Sequence, residues 1–325
     1  MPFIRYISRV VFLLFVTSAV ASAEPRTEFV DPVITGPNIF PLLELPGASN
    51  RDLRHFVAFD AARTNGFLYV HLAGSGGLPE NSQQIIRFAA QRGFHAVSIA
   101  YPNWPSVGDL TAALGDPAAA GAVRAERLFG VDASPLVNVD ANNGVIHRLT
   151  RLLVYLHDAY PDEHWNAFFG SDQPQWSRIV VGGHSQGAGH AAYLGQEFAL
   201  VGALLFAGPG DAVAGVGVAN WLLRPLRIAP TALYGFVHRQ DPNFNFFQTT
   251  QGILGLAEGG PSQDIDLVAQ SQWSANRLTS SRTDISSGNF HGAVVVDGSL
   301  PATPGYEPVW DYMLRVALFR NDFDD

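Results

Sequence analysis

The chain has 325 residues, a formal net charge of −9 and 47% hydrophobic residues, enough core for one large α/β domain or for one domain with a cap. It contains no cysteine and no lysine, so all 20 basic residues are arginine, which excludes disulfides, a lipid-modified cysteine, Schiff bases, Ser–Lys dyads and the P-loop lysine. An acidic chain without basic runs also argues against nucleic-acid partners and against adhesion to anionic membranes.

Residues 1–23 carry the marks of a secretory signal peptide. Arg5 and Arg9 form a positive start, residues 10–20 form an apolar stretch too short to span a bilayer, and Ala21-Ser22-Ala23 is an A-x-A cleavage site. The expectation is an exported protein, secreted or periplasmic. Its mature domain is 24–325, with no stable membrane insertion after cleavage.

Strand-like and helix-like stretches then alternate, the pattern of a mostly parallel sheet. Residues 67–72 predict a strand. A helix follows over 82–91, with Ile85, Ile86 and Ala89 on one face and Gly93 as its stop. Residues 94–100 read as the next strand. Val145, Leu149, Leu152, Leu153 and Leu156 fall at helical spacing and predict a helix over 143–160, closed by Pro161. Further strands are expected over 178–182, 201–207 and 231–237, and a closing helix over 308–319. The stretches 102–142, 208–230 and 242–273 fit the alternation less well. Excursions of this kind build lids and substrate pockets, or simply cover the sheet; those at 102–142 and 208–230 are the candidates for a cap.

The most informative motif is Gly183-His184-Ser185-Gln186-Gly187. It fits G-x-S-x-G, in which a serine on a sharp strand-to-helix turn holds its hydroxyl clear of the fold. Random placement of this chain's glycines and serines yields roughly 0.2 matches per chain, so context decides. A β-branched run precedes the motif and a small-residue helix, 188–194, follows it, which is the required context. Ser185 is therefore the candidate nucleophile.

A serine hydroxyl needs a base. Of the 10 histidines, only His190, His238 and His291 come after Ser185, as the order serine, acid, histidine demands. His190 lies on the helix leaving the turn, and His238 ends a strand before the best acid. His291 sits in a polar turn ahead of the last helix and is left as the base. The acid that orients it is Asp241, just past a strand end and stiffened by Pro242, or alternatively Asp211, one strand earlier. The chain order favours Asp241. Two backbone N–H groups should stabilise the developing oxyanion: one from Gln186, the other from Ser75, or else Gly76, in the loop Ala73-Gly74-Ser75-Gly76-Gly77. Residues 187–192 also match G-x-G-x-x-A, but they follow a middle strand and no ribose-binding acid stands beyond them. His184 and His190 are six residues apart and would not share a helix face. No cofactor and no metal are expected.

Together these residues resemble the α/β-hydrolase superfamily, in particular secreted bacterial esterases and lipases with a GHSQG elbow. The resemblance covers most of the mature chain: the glycine loop at 74–77, the elbow at 183–187, Asp241 and His291. It implies an eight-stranded, mostly parallel sheet with helices on both faces. It also implies hydrolysis through an acyl-enzyme, while the substrate stays open: a small-molecule, lipid or polyester ester, or an amide. Two departures stand out. Ala73-Gly74 replaces the usual His-Gly, and His291 runs straight into Gly-Ala-Val-Val-Val, which leaves the register of the last strand open. An acyltransferase using the same acyl-enzyme, or a non-catalytic binding protein on the same fold, are the rival readings.

Overall fold

The computed structural model describes residues 24–42, 53–171 and 173–317. The segment read as a signal peptide therefore lies outside the described residues, as do the last two residues of the expected closing helix.

The strands are β1 (Arg26–Val30), β2 (His55–Phe59), β3 (Leu68–Leu72), β4 (His95–Ile99), β5 (Ile179–His184), β6 (Gly202–Phe206), β7 (Leu233–His238), β8 (Gln263–Asp264) and β9 (Arg277–Ser280). They form one nine-stranded sheet in the order β1-β2-β4-β3-β5-β6-β7-β9-β8. β1 and β2 pair antiparallel, as do β2 and β4. The other neighbours run parallel. The eight expected strands gain a ninth, β8, which is only two residues long. The last of the longer strands, β9, ends well before His291. The valine run after His291 is a turn whose Val294 and Val295 are buried, so the open register is settled by there being no strand in that stretch.

The main helices are α1 (Gln83–Gln91), α2 (Ala119–Phe129), α3 (Val145–Ala159), α4 (Gln186–Glu197), α5 (Phe244–Ile253) and α6 (Glu307–Leu314). α1 gives way at Arg92 to Gly93, whose φ of 85° suits glycine alone. α3 stops at Tyr160, directly before Pro161.

Alternate strand residues feed two cores, because successive side chains point to opposite faces. Val57, Phe59, Val70, Leu72, Val97 and Val181 pack with Leu149, Leu152, Leu153 and Leu156 of α3 and with Ala188, Ala191 and Ala192 of α4. Phe56, Ala58, Tyr69, Ala96, Val180 and Leu204 pack on the other face with Ile85, Ile86 and Ala89 of α1 and with Trp310 and Met313 of α6. Burial on both faces explains why the central strands read as continuous apolar runs. The segments that carry the candidate residues, after β3, β5, β6, β7 and β9, all leave the carboxyl ends of parallel strands. That edge is where open α/β sheets place ligands.

The excursion at 102–142 contains α2, which the sequence pattern did not single out. The excursion at 208–230 contains a short antiparallel hairpin, Ala212–Val213 with Gly217–Val218, and the buried Trp221.

Candidate active site

β5 ends at His184, α4 starts at Gln186, and Ser185 forms the turn between them with φ 54° and ψ −113°. A serine rarely adopts that backbone, and the strain persists because the surroundings fix it. The Ser185 N–H donates to the Phe206 carbonyl on β6 at 2.8 Å. Both motif glycines are sterically required. A Cβ at Gly183 would lie 2.3 Å from the Gly187 carbonyl, and one at Gly187 would lie 2.0 Å from the Leu72 carbonyl oxygen. Gly187→Ala should therefore leave no soluble folded protein, whereas Ser185→Ala should express and melt like the parent; comparing soluble yield and thermal melts checks this.

Asp241 follows β7 and is buried. Its Oδ1 accepts from the Asn243 N–H at 2.8 Å, and its Oδ2 accepts from His291 Nδ1 at 2.7 Å. With Nδ1 donating to a carboxylate, the basic lone pair of the neutral ring is on Nε2. His291 remains about a third exposed, and it lines one cleft together with Ser185. Its loop is held by a residue the sequence reading passed over. His184 Nε2 donates to the His291 carbonyl oxygen at 3.0 Å, and the two rings lie 4.8 Å apart. Burial, the largest cause, and the nearby His291 push the pKa of His184 down to about 3, so it stays a neutral donor. The only sequence signal was a histidine beside the nucleophile, which spacing alone could relate only to a metal site.

The other candidates fall elsewhere. Asp211 is buried against Arg124, with Nε to Oδ2 and Nη2 to Oδ1 both at 2.6 Å, and it also accepts from Trp221 Nε1 at 2.7 Å. His190 is buried edge-on to Tyr101. His238 donates from Nε2 to the Arg282 carbonyl at 2.8 Å, and its ring lies 4.7 Å from that of Phe290, beside His291.

The glycine loop after β3 presses on the elbow. A Cβ at Gly74 would come within 2.8 Å of His184 Nδ1 and 3.3 Å of Ser185 Cβ. Gly77 N–H closes the turn onto the Gly74 carbonyl at 3.0 Å, and Asn103 Nδ2 donates to the carbonyls of Gly74 and Gly77 at 2.9 and 2.8 Å. This sets Ser75 beside Ser185. Gln186 is the first residue of α4, so its N–H has no acceptor within the helix.

The cleft has two lobes that share Ser75, Ser106, Ser185 and His291. One, about 410 Å³, runs past Val107, Ala212, Phe246 and Phe247 to the Arg124–Asp211 pair. The other, about 450 Å³, is lined by the glycine loop with Asn81, Asp109 and Asn289. The excursions at 102–142 and 208–230 thus supply walls of the first lobe. Among the described residues no three His, Asp or Glu side chains converge as a metal site, and no helix is long and apolar enough to cross a membrane.

No protein-family model matches the sequence, and no curated protein matches it. Solved structures resemble it weakly. The hyperthermophilic esterase of the archaeon Pyrobaculum calidifontis is 14% identical, with 91% of this chain and 86% of that one covered and a TM-score of 0.43. Esterase B of Lactobacillus rhamnosis, in a complex with a tributyrin phosphonate, is 10% identical over 92% of this chain and 84% of that one, with a TM-score of 0.41. An esterase/lipase from an uncultured bacterium is 11% identical over 93% and 86%, with a TM-score of 0.41. The order of strands in its own sheet, with a serine elbow between β5 and α4, gives this chain the α/β-hydrolase fold.

Proposed function

We propose that the chain is a serine hydrolase that cleaves carboxylic esters through an acyl-enzyme. The observation that carries this reading is the 2.7 Å bond from His291 Nδ1 to Asp241 Oδ2, made in the cleft that Ser185 lines. Ser185 Oγ attacks the ester carbonyl while His291 Nε2 takes its proton. Asp241 holds the ring in the required tautomer and stabilises the imidazolium. The N–H groups of Ser75 and Gln186 receive the oxyanion. Collapse of the tetrahedral intermediate expels the alcohol, protonated by His291, and leaves an acyl group on Ser185. A water, deprotonated by the same His291, then releases the acid and restores the serine.

A fluorophosphonate probe should label the intact protein, and peptide mapping should place the adduct on Ser185. Labelling that persists in Ser185→Ala would end this reading. A panel of p-nitrophenyl esters of rising acyl length gives the chain length the cleft accepts, and adding an alcohol acceptor separates hydrolysis from acyl transfer. Export remains part of the proposal, since the marks at Arg5, Arg9 and Ala21-Ser22-Ala23 are those of a cleaved leader. N-terminal sequencing of exported protein should begin at Glu24.

A further inference from the structure

Several backbone segments converge on one side chain. Gln186 Oε1 accepts from the Val107 N–H at 2.8 Å, from Arg127 Nη1 at 2.9 Å and from Ser75 Oγ at 3.2 Å. Its Nε2 donates to the Asn103 carbonyl at 3.1 Å, and its own carbonyl accepts from Arg124 Nη1 at 2.9 Å. Three donors saturate an amide oxygen. Gln186 is buried, so its side chain depends on these protein partners rather than on water for its hydrogen bonds.

The two arginines lie three residues apart on α2, on one face of the helix, and both are almost fully buried. Arg124 reaches α4 only because Gly189 has no side chain, since a Cβ there would lie 2.2 Å from Arg124 Nη2. Asp211 neutralises Arg124, and Trp221 covers it with its ring 5.1 Å away. Both guanidinium groups bond Gln186 at the start of α4, a helix end that is itself positive. They favour any negative charge that forms there. The same side chain that Arg127 grips also receives the hydroxyl of Ser75, so the two residues assigned to the oxyanion are linked to each other.

We propose that Arg127 is a positioning residue for the oxyanion site. It fixes the Gln186 side chain, and through that amide it fixes the relative placement of the Gln186 and Ser75 N–H groups. The excursion at 102–142 is then a buttress for catalysis, supplying Asn103, Val107, Arg124 and Arg127. This rests on the serine-hydrolase reading above.

The test compares the parent with Arg127→Met, Arg127→Lys, Ser75→Ala and the double variant Ser75→Ala/Arg127→Met. The readouts are kcat and KM on p-nitrophenyl butyrate, the Ki of a butyl trifluoromethyl ketone, and Tm. The ketone adds to the nucleophile as a tetrahedral oxyanion, so its Ki reads the oxyanion site rather than the fold. Arg127→Met should lower kcat by about 10²-fold, the size expected for a disturbed oxyanion donor, with KM changed less than about 3-fold. The Ki should rise in proportion to the loss in kcat/KM. Arg127→Lys should recover part of both. The double variant should lose less than the product of the single losses, because both act through Gln186. If Arg127→Met does not fold, Ser75→Ala still decides the matter: it keeps the Ser75 N–H and removes only the hydroxyl link, and it should cost about 10-fold in kcat and in Ki. A drop in Tm with kcat and Ki unchanged in these variants would overturn the proposal and leave Arg127 as a structural arginine. A parent protein that turns over no ester would remove the underlying reading itself, whereas an active parent with unaltered Ki in the variants removes the buttress alone.

Discussion

Asp241→Asn should lower kcat by about 10⁴-fold while the protein stays folded, the loss seen when a serine-protease triad is left with the wrong histidine tautomer. Asparagine fills the same volume and its Oδ1 still accepts from Asn243, so the turn after β7 survives. Its Nδ2 donor then faces His291 Nδ1, which turns the ring to the tautomer whose Nε2 carries a proton and cannot act as a base. Asp211→Asn should do the opposite. It removes the charge that balances buried Arg124, at a cost of about 3–5 kcal/mol, and the loss falls mainly on Tm. The pair is read by kcat and thermal melts side by side. Loss of activity in Asp211→Asn with Tm intact, and an active Asp241→Asn, would move the acid to the earlier strand.

The second large effect is acid unfolding. Burial holds His55, His71 and His184 at pKa values of about 3, His95 at about 4 and His190 well below its ordinary value. Arg148 reinforces the shift at His55. Each pKa is depressed in the folded state, so between about pH 3 and 6.5 the unfolded chain binds more protons than the native one. Stability is therefore complete above about pH 6.5 and falls as the pH drops below it. Each of the five histidines steepens that fall, because each must take up a proton that the native state refuses. Asp297 works the other way. Burial raises its pKa to about 6, although it accepts from the Gln83 and Gln84 N–H groups. Its contribution is complete below its unfolded pKa and lost as pH rises through about 6, so it offsets about one of the five protons between pH 4 and 6. The histidines outnumber it, so stability should fall steadily as the pH drops from about 6.5 toward 5. Urea melts at pH 7.5, 6.5, 5.5 and 5.0 would show it; a stability unchanged from pH 7.5 to 5.0 would mean these histidines are not buried as described.

Much of this molecule could be read without coordinates, because its constraints are local. The elbow requires glycine at 183 and 187 within one turn of chain, and the structure supplies the clashes that say why. The buried runs at 68–72, 179–184, 202–206 and 233–238 are legible because a strand covered on both faces has no polar side to show. The leucines of α3 repeat at helical spacing within a single element. Chain order left His291 as the candidate base.

What the sequence left open depends on contacts between distant residues. Asp211 and Asp241 both follow a strand on the same edge of the sheet, so chain order could favour Asp241 but not exclude Asp211. Folding brings Asp241 to His291 Nδ1, while Arg124, 87 residues before Asp211, holds the other carboxylate in the core. β1 and β2 are five-residue strands made secure by pairing with each other and with β4, so no local pattern marked them. The helix within 102–142 lies in a stretch that fits the strand–helix alternation poorly, and only folding brings its arginines to Gln186. In the sequence His184 could be weighed only as a metal ligand with His190, and only folding brings its ring to the His291 carbonyl. Local backbone geometry wrote the nucleophile into the sequence, whereas the partners that orient the site are fixed by hydrogen bonds that exist only once the sheet has assembled.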